Sequence, residues 1–164
     1  MLDTNAFDYI IDNKLIDKVR NAVDNGKLRL FATDVQNQEL DAIPNTTRKQ
    51  AIKQVIEVLG IKFVATSGAV VASKLDRGFG GSRVGQSRVG SERDNKLLEK
   101  LTKVNIKHPL KNRADLLTFT SAKEDMDYLI TGNIADFKRP LELYNEEMGT
   151  KLQIKNNKDF ENML

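Results

Sequence analysis

The 164-residue chain contains no cysteine and a single histidine, His108. The first absence excludes disulfides and thiolate metal sites. The second argues against metal sites built on several imidazoles and against Ser-His-Asp catalysis. Catalytic chemistry in this chain therefore has to lean on carboxylates. Long apolar runs are also missing. None approaches the ~18 residues of a membrane span, and no basic-plus-apolar leader opens the chain. The expectation is a soluble, cytoplasmic protein with no membrane partner. A Walker-type phosphate loop is absent too, because no Gly-Lys-Ser/Thr ending occurs.

What remains is ordinary in amount. Hydrophobic residues make up 40% and charged residues 30%. At this length that suffices for one domain, residues 1–164, burying about two-thirds of its unfolded surface.

Strand-like and helix-like patterns alternate along the chain. A short apolar piece runs into Asp3, and helical spacing begins at once over 5–12 (Phe7, Ile10, Ile11), followed by 14–23. Either Thr4 or Asn5 can cap the first helix. Asp24-Asn25-Gly26 marks a turn, then Leu28, Leu30 and Phe31 read as a strand ending at Thr33. Thr33 or Asp34 can cap a helix over 35–42. The clearest helical period is 45–59, stopped by Gly60. Ile61, Phe63 and Val64 read as a strand, 92–104 and 113–123 as helices, 128–131 as a strand, Gly132-Asn133 as a turn, Leu152 and Ile154 as a last strand, and 160–164 as a short fraying helix. Such alternation predicts an α/β fold with a mostly parallel sheet covered by helices on both faces.

Four acids hold corresponding places in that pattern. Asp3 follows the first strand, Glu39 lies on the helix after the second, Asp115 opens a helix, and Asp136 stands just past the strand 128–131. The carboxyl ends of parallel strands share one edge, where open α/β sheets place their ligands. Carboxylates gathered there raise one another's pKa unless a cation is present. A hard divalent ion such as Mg²⁺ suits them, since it takes oxygen ligands and phosphate oxygens. With 23 acids in the chain, a plainer reading also stands: Glu39 on a solvent-facing helix surface, and Asp115 as a first-turn acid favoured by the helix dipole.

Charge is unevenly spread. Residues 72–114 carry eleven Lys/Arg against four acids, a net +7, whereas the whole chain carries +3. Half of the ten glycines fall between Gly78 and Gly90, and Ser82-Arg83-Val84-Gly85 recurs as Ser87-Arg88-Val89-Gly90. A Gly/Arg-rich loop at about 77–92 is expected. Arg83 and Arg88 on this loop, Lys96, Lys100, Lys103 and Lys107 on roughly one helical face, and Arg113 beyond them are candidates for contact with a phosphate backbone. The plainer alternative is a solvated charged surface.

Four motifs in order resemble the PIN domain family of metal-dependent nucleases: Met1-Leu2-Asp3-Thr4-Asn5; Thr33-Asp34-Val35-Gln36-Asn37-Gln38-Glu39-Leu40; Asn112-Arg113-Ala114-Asp115-Leu116-Leu117; and Leu129-Ile130-Thr131-Gly132-Asn133-Ile134-Ala135-Asp136-Phe137. The resemblance implies a three-layer α/β/α sandwich and cleavage of single-stranded RNA dependent on Mg²⁺ or Mn²⁺. Asp3, Glu39, Asp115 and Asp136 would be the metal-holding, catalytic acids, with Asn5, Thr131 and Asn133 supporting them. Many family members have Asp at the place of Asn133, and others have Asn there with an acid directly before the Phe, as in Asp136-Phe137. Many small bacterial members are toxins held by an antitoxin protein, often as homodimers, so both partners belong to the expectation. A catalytically impaired module of the same fold, binding RNA or protein, is the alternative. A small α/β phosphotransfer or signalling domain using Mg²⁺ would need a late-strand Lys near the acids and a phosphorylatable Asp ending a central strand, and the sequence pattern supports neither placement.

Overall fold

The computed structural model describes residues 1–64, 66–67, 87–88, 96–97, 99–101, 103 and 126–164. Helix α1 (Thr4–Asp12) starts directly after Asp3 and buries Ala6, Phe7 and Ile10, one stripe at helical spacing. Its cap is neither Thr4 nor Asn5. Asp3 takes extended backbone angles and its Oδ1 accepts from Thr4 N at 2.7 Å. Lys14, with φ 56°, turns the chain into α2 (Ile16–Asp24), which buries Val19 and Ala22. The second helix therefore begins two residues later than its apolar pattern suggested. Gly26, with φ 71°, ends that turn and feeds β1 (Phe31–Thr33).

Helix α3 (Asp34–Asp41) follows at once. Thr33 and Gln36 close a capping box at its start: Thr33 N donates to Gln36 Oε1 at 2.6 Å and Gln36 N to Thr33 Oγ1 at 3.4 Å. Helix α4 (Thr46–Val58) is capped by Asn45, whose Oδ1 accepts from Arg48 N at 2.9 Å, and it buries Ile52 and Val55. Arg48 also reaches Asp8 and Asp12, joining α4 to α1. The remaining elements are β2 (Lys62–Val64), β3 (Thr66–Ser67), β4 (Ser87–Arg88), β5 (Tyr128–Ile130), α5 (Ile134–Met148), β6 (Gln153–Lys155) and α6 (Asn157–Met163). The described residues within 96–103 are helical.

All strand pairs among the described residues are parallel. Phe31 to Thr33 register with Lys62 to Val64, Thr66 and Ser67 with Ser87 and Arg88, and Tyr128 to Ile130 with Gln153 to Lys155. Residues 1–3 join the first and last of these pairs. Leu2 N donates to Phe31 O at 2.8 Å on one side. On the other side Leu2 forms a parallel bridge with Ile130, Ile130 N donates to Met1 O, and Asp3 N donates to Ile130 O, both at 2.9 Å. The order is β2, β1, residues 1–3, β5, β6. The chain moves outward from its first strand to β2 and then returns to the other side at β5, so the switch in direction lies between residues 1–3 and β5.

Strand side chains alternate between two apolar clusters, as the two-residue period requires. Met1, Val64 and Leu129 pack with Leu97, Leu101, Phe137, Tyr144 and Leu152. Leu2, Ala32 and Ile130 pack with Phe7, Ile10, Val19, Ile52, Leu59 and Phe160. Each such large side chain contributes about 1.5–3 kcal/mol when fully buried. The structure is thus mixed α/β with short parallel strands, and no described helix is long and apolar enough to cross a membrane.

Helix α5 is absent from the sequence-based pattern, which assigns no element between Gly132-Asn133 and Leu152. Pro140 sits inside the helix. It has no N–H for a bond to the Asp136 carbonyl, but Phe137, Pro140 and Tyr144 are buried on one stripe, and this packing outweighs the missing bond. Gly149, with φ 68°, supplies the left-handed cap at its end. The expected helix over 113–123 and most of the Gly/Arg-rich stretch lie outside the described residues.

Candidate functional site

Because residues 1–3 and β5 flank the switch point, their carboxyl ends lie side by side. Asp3 is buried there at 9% exposure, and Thr131 completely. A buried carboxylate needs donors, and Asp3 has three. Thr4 N donates to Oδ1 at 2.7 Å, while Asn5 Nδ2 at 2.5 Å and Thr131 Oγ1 at 2.7 Å both donate to Oδ2. An ionised carboxylate offers about four acceptor positions. Among the described residues, the one left over is on Oδ1.

Glu39 is brought to Asp3 by helix α3. Thr4 Oγ1 donates to Glu39 Oε2 at 2.5 Å, so Thr4 bonds one carboxylate through its backbone and the other through its side chain. Burial pushes the Glu39 pKa above the ordinary glutamate range; the Thr4 hydroxyl opposes this and the Asp3 charge adds to it. Gln36 anchors the same helix. Its Oε1 is engaged by Thr33 N, and its Nε2 donates to Leu2 O at 2.6 Å, directly before Asp3.

On the other flank, Thr131 Oγ1 accepts from Asn133 N at 3.0 Å, and Asn133 Nδ2 donates to Asp136 Oδ2. Asn133 and Asp136 are exposed, at the cap position and in the first turn of α5. A continuous hydrogen-bonded path therefore runs Glu39, Thr4, Asp3, Thr131, Asn133, Asp136. It unites three of the four acids and the three supporting residues of the sequence reading, since Asn5 touches both Asp3 and Thr131. Asp115 lies outside the described residues.

The donor set is made of hard carboxylate oxygens. Mg²⁺ binds through one or two carboxylates and keeps several waters, so the open position on Asp3 and the neighbouring Glu39 fit such an ion. No group of three His, Cys, Asp or Glu able to hold a metal occurs among the described residues. A cavity of about 200 Å³ opens elsewhere, at the amino ends of the strands, lined by Met1, Leu28, Phe31, Met126, Tyr128 and Phe160 among others; none of the four acids lines it.

Of the basic candidates, Arg83, Lys107 and Arg113 fall outside the described residues, and Arg88 is placed by its backbone in β4. Lys96 is helical and exposed. Lys100 is paired with Glu147 at 2.5 Å and Lys103 with Glu99 at 2.8 Å, both in exposed settings where water screens the attraction.

The sequence reading passed over three contributors. Thr4 reads in the sequence only as a helix cap. Gln36 carries a readable signal, the Thr-x-x-Gln capping box. Asn157 has no local signal, yet its Nδ2 stands 3.5 Å from Asn5 Oδ1. Comparison of the chain with protein-family models, with curated proteins and with solved structures returns no match.

Proposed function

We propose that this chain is a divalent-metal-dependent endoribonuclease that cleaves single-stranded RNA, on a PIN-like three-layer α/β/α sandwich. Asp3 and Glu39 would hold Mg²⁺ or Mn²⁺ together with Asp115, and Asp136 would complete the set at the outer end of the path. The observation that carries this reading is the hydrogen-bonded path at the switch point, which links Glu39, Asp3 and Asp136 across three separate elements.

The bound ion would supply polarisation of the phosphodiester and activation of water. The chain's own groups do the rest. Thr4, Asn5 and Thr131 fix the Asp3 carboxylate so that its one unengaged acceptor position is held in place. Thr4 holds Glu39 at Oε2, which would leave Oε1 to the ion. Arg83, Arg88, Lys96 and Arg113 are the proposed backbone contacts to RNA, and an antitoxin-type protein and a second copy of the chain are the proposed protein partners.

Thermal melting with Mn²⁺ and with EDTA tests the metal set. A ligand at 100 times its Kd stabilises by about 2.7 kcal/mol. The wild-type chain should gain stability from Mn²⁺, and Asp3→Asn should lose that gain. Equal gains in both would remove Asp3 from the metal set. A second reading, an impaired RNA- or protein-binding module, is favoured by Asn133 standing where many PIN nucleases carry Asp; RNA binding without cleavage by the Mn²⁺-loaded chain would select it.

A further inference from the structure

Three polar groups from distant parts of the chain meet around Asn5. Its Oδ1 accepts from Gly132 N at 2.6 Å and from Asn157 Nδ2 at 3.5 Å, the latter at the long limit of a hydrogen bond. Its Nδ2 donates to Asp3 Oδ2 at 2.5 Å. Turning the Asn5 amide over would set its NH₂ against two donors and its oxygen against the Asp3 carboxylate. Gly132 and Asn157 therefore select the orientation that serves Asp3.

Space is short at this junction. A Cβ on residue 132 would stand 3.2 Å from Asn5 Oδ1 and 3.4 Å from Asn157 Nδ2. Asn157 is delivered here by β6, paired in register with β5, and by the Asn156 cap that fixes the first turn of α6. Asn157 Oδ1 is buried and has no partner among the described residues. Unsatisfied buried groups are uncommon in folded proteins, and this one sits beside the acid site.

We infer that Asn157 is a positioning residue of the acid site: it holds Asn5 in the amide orientation that presents Nδ2 to Asp3, and so fixes the Asp3 carboxylate toward a divalent cation. This rests on the metal reading above. Residues that orient a metal-binding carboxylate typically change metal affinity 10–100-fold when removed.

The test is Mn²⁺ titration calorimetry on the full chain, with nitrogen–proton correlation spectra of the Asn5 side-chain amide and the Gly132 backbone amide. Asn157→Ala and Gly132→Ala should each weaken Mn²⁺ binding by about 10–100-fold and shift the Asn5 resonances. Gly132→Ala leaves α6 intact, so a loss there does not come from unfolding that helix. Asn157→Asp turns an acceptor toward Asn5 Oδ1 and should lose at least as much as Asn157→Ala. Lys158→Ala, an exposed change on the same helix, should alter neither reading. Unchanged affinity in both Asn157→Ala and Gly132→Ala overturns the inference and leaves the metal reading standing. A wild-type chain that binds no Mn²⁺ overturns the metal reading instead. Asn5 resonances unmoved in Asn157→Ala overturn the hold on Asn5 whichever way the metal result falls.

Discussion

Thr131 shows how much one buried hydroxyl can carry. It donates to Asp3, accepts from Asn133 N and lies 3.3 Å from Asn5 Nδ2. Thr131→Val keeps the shape and removes all three contacts, leaving a buried carboxylate short of a donor. Urea denaturation should show a loss of about 1.5–3 kcal/mol, the range for hydrogen bonds to charged groups, and Thr131→Ser should recover most of it. Glu39 yields a pH-dependent counterpart. Its folded pKa is raised, mainly by burial, so the unfolded chain ionises first as pH rises. The penalty is absent below the unfolded pKa and grows as pH climbs through the folded value. Glu39→Gln should therefore stabilise the chain at about pH 7 and have little effect at about pH 4, near the ordinary glutamate pKa. Urea midpoints at the two pH values decide this; an equal effect at both would contradict it. Neutralising Asp3 follows a different logic. Asp3→Asn can keep its oxygen toward Asn5 Nδ2 and Thr131 Oγ1 only by turning its NH₂ toward Thr4 N, so relief of charge repulsion is offset by the lost acceptor, at a cost of about 1–3 kcal/mol in the same denaturation experiment.

At the scale of elements, the termini of helices α1 and α3 do more than end secondary structure. The cap of α1 is the candidate ligand Asp3, and the capping box of α3 contains Gln36, which reaches the strand before Asp3. Helix α6 begins with a full capping box, Asn156 accepting from Asp159 N at 2.7 Å. Asn156→Ala should cost about 1 kcal/mol, read from the thermal midpoint, and should loosen the start of α6 as followed by amide exchange. No change in exchange over 157–163 would contradict that role. Element positions were largely legible in the sequence because apolar spacing survives burial: Phe7 and Ile10, or Ile52 and Val55, mark their helices directly. Two kinds of feature were not. Asp3, Thr4 and Asn5 are all good capping residues, so local chemistry could not choose among them; the choice follows from Thr131 and Glu39, which approach from distant parts of the chain. The fifteen-residue helix α5 was missed, and it carries Pro140 in its interior on a buried stripe with Phe137 and Tyr144. Asn157 was invisible for a related reason: it sits in a polar run, and only the pairing of β6 with β5 brings it to Asn5.

For the whole molecule, the central feature is the extended segment of residues 1–3 held between β1 and β5, with Met1 and Leu2 divided between two apolar clusters. Phe7 lies in one cluster and Phe137 in the other, both almost fully buried. Removal of either ring should cost about 3–5 kcal/mol, a large share of the 5–15 kcal/mol typical of a domain. Because both clusters share the same strands, each variant should melt in one transition at a lower temperature by circular dichroism; two separated transitions would show that the halves are independent. That shared segment ends at Asp3, so the site and the core depend on the same few bonds. The most direct test of the functional claim is cleavage of end-labelled single-stranded RNA by the wild-type chain and by Asp3→Asn, each with Mn²⁺ and with EDTA. Internal cleavage by wild type in Mn²⁺, abolished by EDTA and reduced to background in a folded Asp3→Asn chain, is the predicted result. RNA left intact by the Mn²⁺-loaded wild type, or cleaved equally by Asp3→Asn, would contradict it.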